Sequence, residues 1–290
     1  MNKYIAREIS CASTARSKSA QVMIRGIENV TGRFGLIRRA AGYERDLGQG
    51  ADFWRLMTER FGLSLDVVGG SLDNIPAKGP LILIANHPYG ILDGLMMGYI
   101  LSGLRGDFRI VAHRIFRRSE MFNRVILPID FDETDAALRQ NIDTRAEALR
   151  YLGQGGAIGI FPGGTVSTAA HPFGQPRDPV WRNFTARMIA KSNATVVPIF
   201  FDGCNSRLFQ VASHLHYRLR MALLIKEFRA RIDAPVRIVI GQPIAPVQIA
   251  ARKHDAKALM DFLRKTTYDL SPEPMASTAY GFEFEDKYRA

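Results

Sequence analysis

The sequence predicts an α/β fold: a single layered domain with a central mixed sheet flanked by helices, plus N-terminal amphipathic helices. Three observations predict it. Unbroken apolar runs such as Leu81-Ile82-Leu83-Ile84-Ala85 read as strands buried on both faces. From residue 81 onward these runs alternate with segments of helical spacing, as a layered α/β domain requires. The chain has 290 residues, 47% of them hydrophobic, which suffices for one large core, and no repeat or low-complexity linker divides it.

Taken in order, residues 22–43 form an amphipathic helical region. Val22, Ile24, Ile27, Val30, Phe34, Ile37 and Ala40 recur at helical spacing, with Arg25, Arg33, Arg38 and Arg39 among them. Such a basic helix suits a membrane surface, and it equally suits a helix docked on the core. Residues 52–61 read as a short helix and 63–68 as a strand, followed by turn-rich glycines at 69–70 and 79. Strands are then expected at 81–85, 108–112, 126–129, 157–161, 194–201 and 236–240. Helices are expected at 93–102, 143–153, 180–192, 217–229 and 255–271. The expected organisation is a membrane-associating segment over 1–50, a catalytic domain over 51–275 and a polar tail over 276–290 that contains Lys287.

Thirty-nine Lys and Arg against 28 Asp and Glu leave a formal charge of +11, which points to an anionic partner. Cys11 and Cys204 stand in no metal-ligand or redox spacing, which fits a reducing compartment. The first residues have charges where a signal peptide needs an apolar core. No charge-free apolar stretch of about 18 residues exists, so a spanning helix is not expected.

Three strand ends carry the chemistry. The first is Asn86-His87-Pro88-Tyr89-Gly90-Ile91-Leu92-Asp93. Pro88 keeps His87 out of helical conformation. On one helix His87 and Asp93 would lie roughly 240° apart, so they can meet only across the Pro88–Gly90 turn. Asp93 would then fix one imidazole nitrogen and leave the other to take a proton from a hydroxyl. The alternative is a helix-capping Asp93 beside a structural His87. The second end is Phe161-Pro162-Gly163-Gly164-Thr165-Val166-Ser167. Its glycines allow close backbone approach, and Thr165 and Ser167 add hydroxyls for a phosphate or an oxyanion. The third is Asp202-Gly203-Cys204-Asn205-Ser206, after the run Val196–Phe200. Ligand sites of open α/β sheets lie at such carboxyl ends.

These motifs resemble the glycerolipid acyltransferase superfamily, which includes the lysophosphatidic acid acyltransferases. The resemblance rests on Asn86-His87…Asp93, Phe161-Pro162-Gly163-Gly164-Thr165-Val166-Ser167 and Val197-Pro198-Ile199, and it covers residues 63–244. Two departures, the extra residue between His87 and Asp93 and Gly163 in place of the superfamily's Glu, look like the hemolysin-like branch that includes acyltransferases of ornithine-lipid synthesis. Asp178–Trp181 and Gly203–Phe209 are similar to later motifs of that branch.

The resemblance implies a membrane-associated O-acyltransferase. A His87–Asp93 base would move a fatty acyl group from acyl-ACP or acyl-CoA, as co-substrate, to the free hydroxyl of a lysolipid, either lyso-ornithine lipid or a lysophospholipid. It implies substrate contacts from Asn86, Phe161, Pro162, Gly163, Gly164, Thr165, Ser167, Asn205 and Ser206, with Arg114 and Arg117 near the superfamily's second-motif arginine. No cofactor and no metal is expected. Arg105, Arg109, Arg114, Arg117, Arg118 and Arg124 read as a basic surface for lipid or CoA phosphates or an acyl carrier protein. With no nucleic-acid-binding signature present, nucleic acid is not an expected partner. His214-Leu215-His216 lacks ligand partners for a metal, and Cys204 reads as a packed residue. The expected place is the cytoplasmic face of the inner membrane, peripheral and on an anionic surface. The rival class is a non-catalytic membrane- or carrier-binding module on the same fold.

Overall fold

The computed structural model describes residues 9–15, 17–113, 120–130, 134–273 and 279–284. Arg114, Arg117, Arg118 and Lys287 lie outside these described residues. The strands are β1 (Ser64–Gly69), β2 (Leu81–Ala85), β3 (Arg109–His113), β4 (Ile126–Ile129), β5 (Ala157–Ile160), β6 (Thr168–Ala169), β7 (Pro176–Arg177), β8 (Thr195–Phe201) and β9 (Pro235–Ile240). Seven of them form one sheet in the order β1-β9-β8-β2-β5-β3-β4; β6 and β7 form a separate ribbon. The β8–β9 pair is antiparallel and every other pair in the large sheet is parallel, so the sheet is mixed, as expected.

The helices are α1 (Lys18–Thr31), α2 (Arg33–Ala40), α3 (Tyr43–Gly48), α4 (Phe53–Arg60), α5 (Ile91–Arg105), α6 (Glu120–Asn123), α7 (Asp135–Gly153), α8 (Asn183–Lys191), α9 (Arg207–Leu215), α10 (Tyr217–Arg229), α11 (Pro246–Ala250) and α12 (Ala256–Tyr268). They cover both faces of the sheet. In β2, Leu81, Leu83 and Ala85 join the core that includes Met96, Met97 and Leu101 of α5. Ile82 and Ile84 join the opposite core with Ala148 and Leu152 of α7, Ile189 of α8 and Leu263 of α12. A strand buried on both faces needs a continuous apolar run, and β2 has one.

The N-terminal region differs from a single helix. Gly32, at φ +120, separates α1 from α2, and the Arg229 side chain occupies the place a Cβ there would take. Ile24 of α1 is buried against Ala222 of α10, while Val30 is 87% exposed and Val22 is also exposed. The helix therefore docks on the body and presents a second apolar face to solvent. Helix α7 begins at Asp135, capped by the Thr134 hydroxyl, well before the expected residue 143. Its first turns carry exposed Leu138 and Ile142, so their apolar pattern does not follow a buried face. Helix α9 was not expected at all: Phe209 and Ala212 face inward while Leu208 and Leu215 face out, which blurs the one-sided period.

Candidate active site

Register brings the motifs together. Parallel β5, β2 and β8 are neighbours, with Ile84 opposite Ile160 and Ala85 opposite Ile199. Their carboxyl ends therefore deliver Asn86–His87, Phe161–Ser167 and Asp202–Ser206 to one rim, as the sequence predicted. The Asn86 amide extends the ladder: its Nδ2 donates to Phe201 O at 2.9 Å and its Oδ1 accepts from Phe201 N–H at 2.7 Å.

His87 leaves β2 and meets Asp93 across the turn. Nδ1 lies 3.0 Å from Asp93 Oδ2; the histidine side chain is 18% exposed and the carboxylate is fully buried. The approach is off the line of an Nδ1–H bond, so a small ring rotation is needed to make it straight. Oδ2 also accepts from the N–H groups of Tyr89 and Gly90, each at 2.8 Å. Both sequence readings of Asp93 hold at once: it caps α5 and it faces the histidine. Gly90 sits at φ +87, and the turn it makes returns the chain to His87. Burial pushes the Asp93 carboxyl above the ordinary carboxylate range; the His87 ring and the two N–H groups pull it back. Phe161 stacks on the imidazole with ring centroids 4.3 Å apart. With Nδ1 facing Asp93, Nε2 points away from that carboxylate.

The glycine loop is stitched to the histidine by one carboxylate that was not singled out as a site residue. Asp178 is buried; its Oδ1 accepts from His87 N–H at 3.2 Å and from the Ser167 hydroxyl at 2.5 Å. Its Oδ2 accepts from Trp181 Nε1 at 2.9 Å. Ser167 N–H donates to His87 O at 2.8 Å. A Cβ on Gly163 would come 3.2 Å from Asp178 Cβ. Asp178 thus fills the space that a side chain at position 163 would use, which gives the missing Glu a steric reason. The sequence signal was the Asp178–Trp181 pattern.

Arg220 supports the same loop from beneath and had no sequence signal. It is buried between the rings of Phe209 and Phe284 and pairs with no carboxylate among the described residues. It donates to Thr168 Oγ1, Ser213 Oγ, Thr165 Oγ1 and Val166 O. Burial lowers its affinity for the proton. A buried cation held only by neutral oxygens raises the positive potential under the loop.

Several of the expected substrate contacts are already engaged within the protein. Asn86 is committed to Phe201, and the Ser167 hydroxyl to Asp178. Asn205 is buried with its Nδ2 on Tyr89 O, and Ser206 caps α9 and donates to Glu227 at 2.6 Å. Short side chains in tight turns satisfy nearby backbone first. Pro162 and Gly163 are also buried. Phe161, Gly164 and Thr165 are the residues of the set that stay partly open beside His87. Of the basic cluster, Arg105 donates to Pro76, Gly79 and Gly155 carbonyls, and Arg109 pairs with Asp107 and covers the Tyr151 ring. Both lie at the amino ends of the strands, away from the site, so they form no anion surface beside His87. Arg114 and Arg117 are outside the described residues. His214 bonds Ala169 O, and burial pushes the Cys204 thiol up, against a nucleophilic thiolate. Met96 and Met97 are core.

A histidine–carboxylate pair beside a glycine turn at the rim of an α/β sheet has the groups that acid–base group transfer requires. The chain belongs to the acyltransferase family, whose model matches residues 52–275, and is an acyltransferase enzyme. That sets aside a purely non-catalytic module. Two relatives are lyso-glycine lipid O-acyltransferases. The one from Phocaeicola vulgatus is 24% identical over 76% of this chain and 78% of its own length. The one from Bacteroides thetaiotaomicron is 22% identical over 76% and 80%. Among solved structures, a 1-acyl-sn-glycerophosphate acyltransferase from Thermotoga maritima is 17% identical with a TM-score of 0.44, covering 91% of this chain and 87% of that one. No helix among the described residues is long and apolar enough to cross a membrane.

Proposed function

We propose that this enzyme is a peripheral lysolipid O-acyltransferase in which His87 is the general base and Asp93 orients it. The observation that carries the proposal is the 3.0 Å approach of His87 Nδ1 to a fully buried carboxylate at the sheet rim. Nε2 takes the proton of the lysolipid hydroxyl as its oxygen attacks the thioester carbonyl of acyl-CoA or acyl-ACP. The new C–O bond gives a tetrahedral oxyanion, which the backbone N–H groups at Gly163 and Thr165 and the Arg220 charge beneath the loop would stabilise, the Gly164 N–H being held by Phe161 O. The C–S bond then breaks, and the leaving thiolate recovers the proton from the imidazolium. His87 returns to its starting state, and the acyl group passes directly from donor sulfur to acceptor oxygen, so no covalent enzyme intermediate is needed.

The acceptor we assign is a lysolipid with an amino-acid headgroup, of the lyso-glycine or lyso-ornithine type. Two observations support this over lysophosphatidic acid. Gly163 stands where the superfamily that acylates lysophosphatidic acid has Glu, and Asp178 crowds the position a Cβ there would take. The two curated relatives carry the name of lyso-glycine lipid enzymes. The membrane reading is supported by the exposed apolar face of α1 and by the formal charge of +11, and we place the enzyme on the cytoplasmic face of the inner membrane. Lipid mass spectrometry of a deletion strain tests the assignment. Accumulation of a lyso-aminolipid with loss of its diacylated form is expected; accumulation of lysophosphatidic acid alone would overturn it.

A further inference from the structure

A groove of about 540 Å³ opens beside the glycine turn. It runs between the end of β4, the first turns of α7 and the start of α8, and it ends at Phe161, Pro162 and Gly164. Phe161 lines the end of the groove and its ring stacks on His87, so the groove reaches the loop that carries the base, although His87 itself does not line it. We infer that this groove binds the phosphopantetheine arm of the thioester donor.

The lining has the two chemistries that such an arm carries. One wall is apolar: Leu138 and Ile142 of α7 line it and are 60% and 45% exposed. Solvent-facing aliphatic side chains on a helix that already has a buried face call for an apolar stem against them. The groove is also positive: Arg145, farther along α7, and Arg187, across from it on α8, line it and form no ion pair among the described residues. The N-terminus of α8, nine residues long, has no side-chain cap, which leaves backbone N–H groups for an anion. Thr185, in its first turn, lines the groove, is 1% exposed, and its hydroxyl has no hydrogen-bond partner. A buried orphan hydroxyl costs free energy unless a ligand satisfies it. Asp130 and Asp135 line the α7 end, and Arg182 is taken by Glu283, so the phosphate belongs at the α8 end near Arg187. This inference rests on the proposed reaction. An amino-acid-headgroup acceptor has no phosphate, so the phosphorylated co-substrate is the thioester.

The test measures binding without turnover. Calorimetry of the full-length protein with palmitoyl-CoA, and separately with palmitoylated carrier protein, is compared for wild type, Thr185→Val, and the Arg145→Ser/Arg187→Ser double variant. The double variant should weaken both donors on the order of tenfold, as loss of charge-assisted contacts does. Thr185→Val should weaken both donors while leaving the melting temperature within a degree or so, since its hydroxyl has no partner to lose. Steady-state transfer should show donor KM rising and acceptor KM unchanged. Unaltered affinity for both donors would overturn the inference, as would a rise confined to the acceptor KM. A loss confined to palmitoyl-CoA would also overturn it, since it would assign the groove to the nucleotide instead. Failure of the reaction itself is separate: wild type that binds donor but acylates no lysolipid sinks the proposed function, while the binding comparison still decides the groove.

Discussion

At the scale of single residues, Asp93 holds two jobs in one carboxylate, and each has its own signature. In the proposed reaction it orients Nδ1 of His87 so that Nε2 accepts a proton. As a buried acid, it carries a folded-state carboxyl above its ordinary value near 3.8. From that pH upward the unfolded chain gives up its proton first, so the folded state loses stability as pH rises and levels off once the folded carboxyl ionises. Asp93→Asn removes that proton. Its stability relative to wild type is predicted to improve between about pH 4 and neutrality, while acyl transfer falls at least about a hundredfold. Urea melts across pH check the first part; a relative stability that falls with pH contradicts it. Asn86 is a framework residue with a different signature. Asn86→Ala leaves the N–H and C=O of Phe201 unpaired at the end of β8 and should cost about 2–4 kcal/mol. Thermal melts that shift by less than a degree would contradict that role.

At the scale of elements, the rim depends on the short loops after β2, β5 and β8 being stitched to one another. Asp178 is the central stitch, and Gly163 leaves it room. Gly163→Glu, which restores the residue type common in the wider superfamily, is predicted to displace Asp178 and lower both the melting temperature and activity. A variant that keeps wild-type stability would show that the space is not closed. The strands were legible in the sequence because burial on both faces leaves long apolar runs: β2 and β4 fall where the runs fall. His87 and Asp93 were legible as a pair because Pro88 and Gly90 encode the turn between them. What the sequence hid has physical causes. Helix α9 and the start of α7 carry apolar residues on the solvent side, which breaks the one-face period. Arg220 looks like any surface arginine on a helix until packing places Phe209 and Phe284 against its guanidinium. The hydroxyl of Ser167 and the amide of Asn86 read as ligand donors, but tertiary partners claimed them first.

At the scale of the whole molecule, the net positive charge and the outward face of α1 act together on the proposed membrane surface. Each term is modest alone: exposed cations are screened by salt, and one helix face buries little area. Co-sedimentation with vesicles containing anionic lipid should fall steeply between low and physiological salt. Val22→Asp/Val30→Asp should reduce binding further without altering the fold, because both side chains are already exposed. Equal binding by that variant would move the membrane contact elsewhere. The central claim is chemical: the enzyme works through a histidine base that faces a buried carboxylate. The most direct measurement is single-turnover acyl transfer from palmitoyl thioester to lyso-glycine lipid by purified wild type and His87→Ala. The prediction is a loss of about 10²–10⁴-fold in rate with donor binding and melting temperature retained. A His87→Ala rate within a few-fold of wild type would contradict the mechanism.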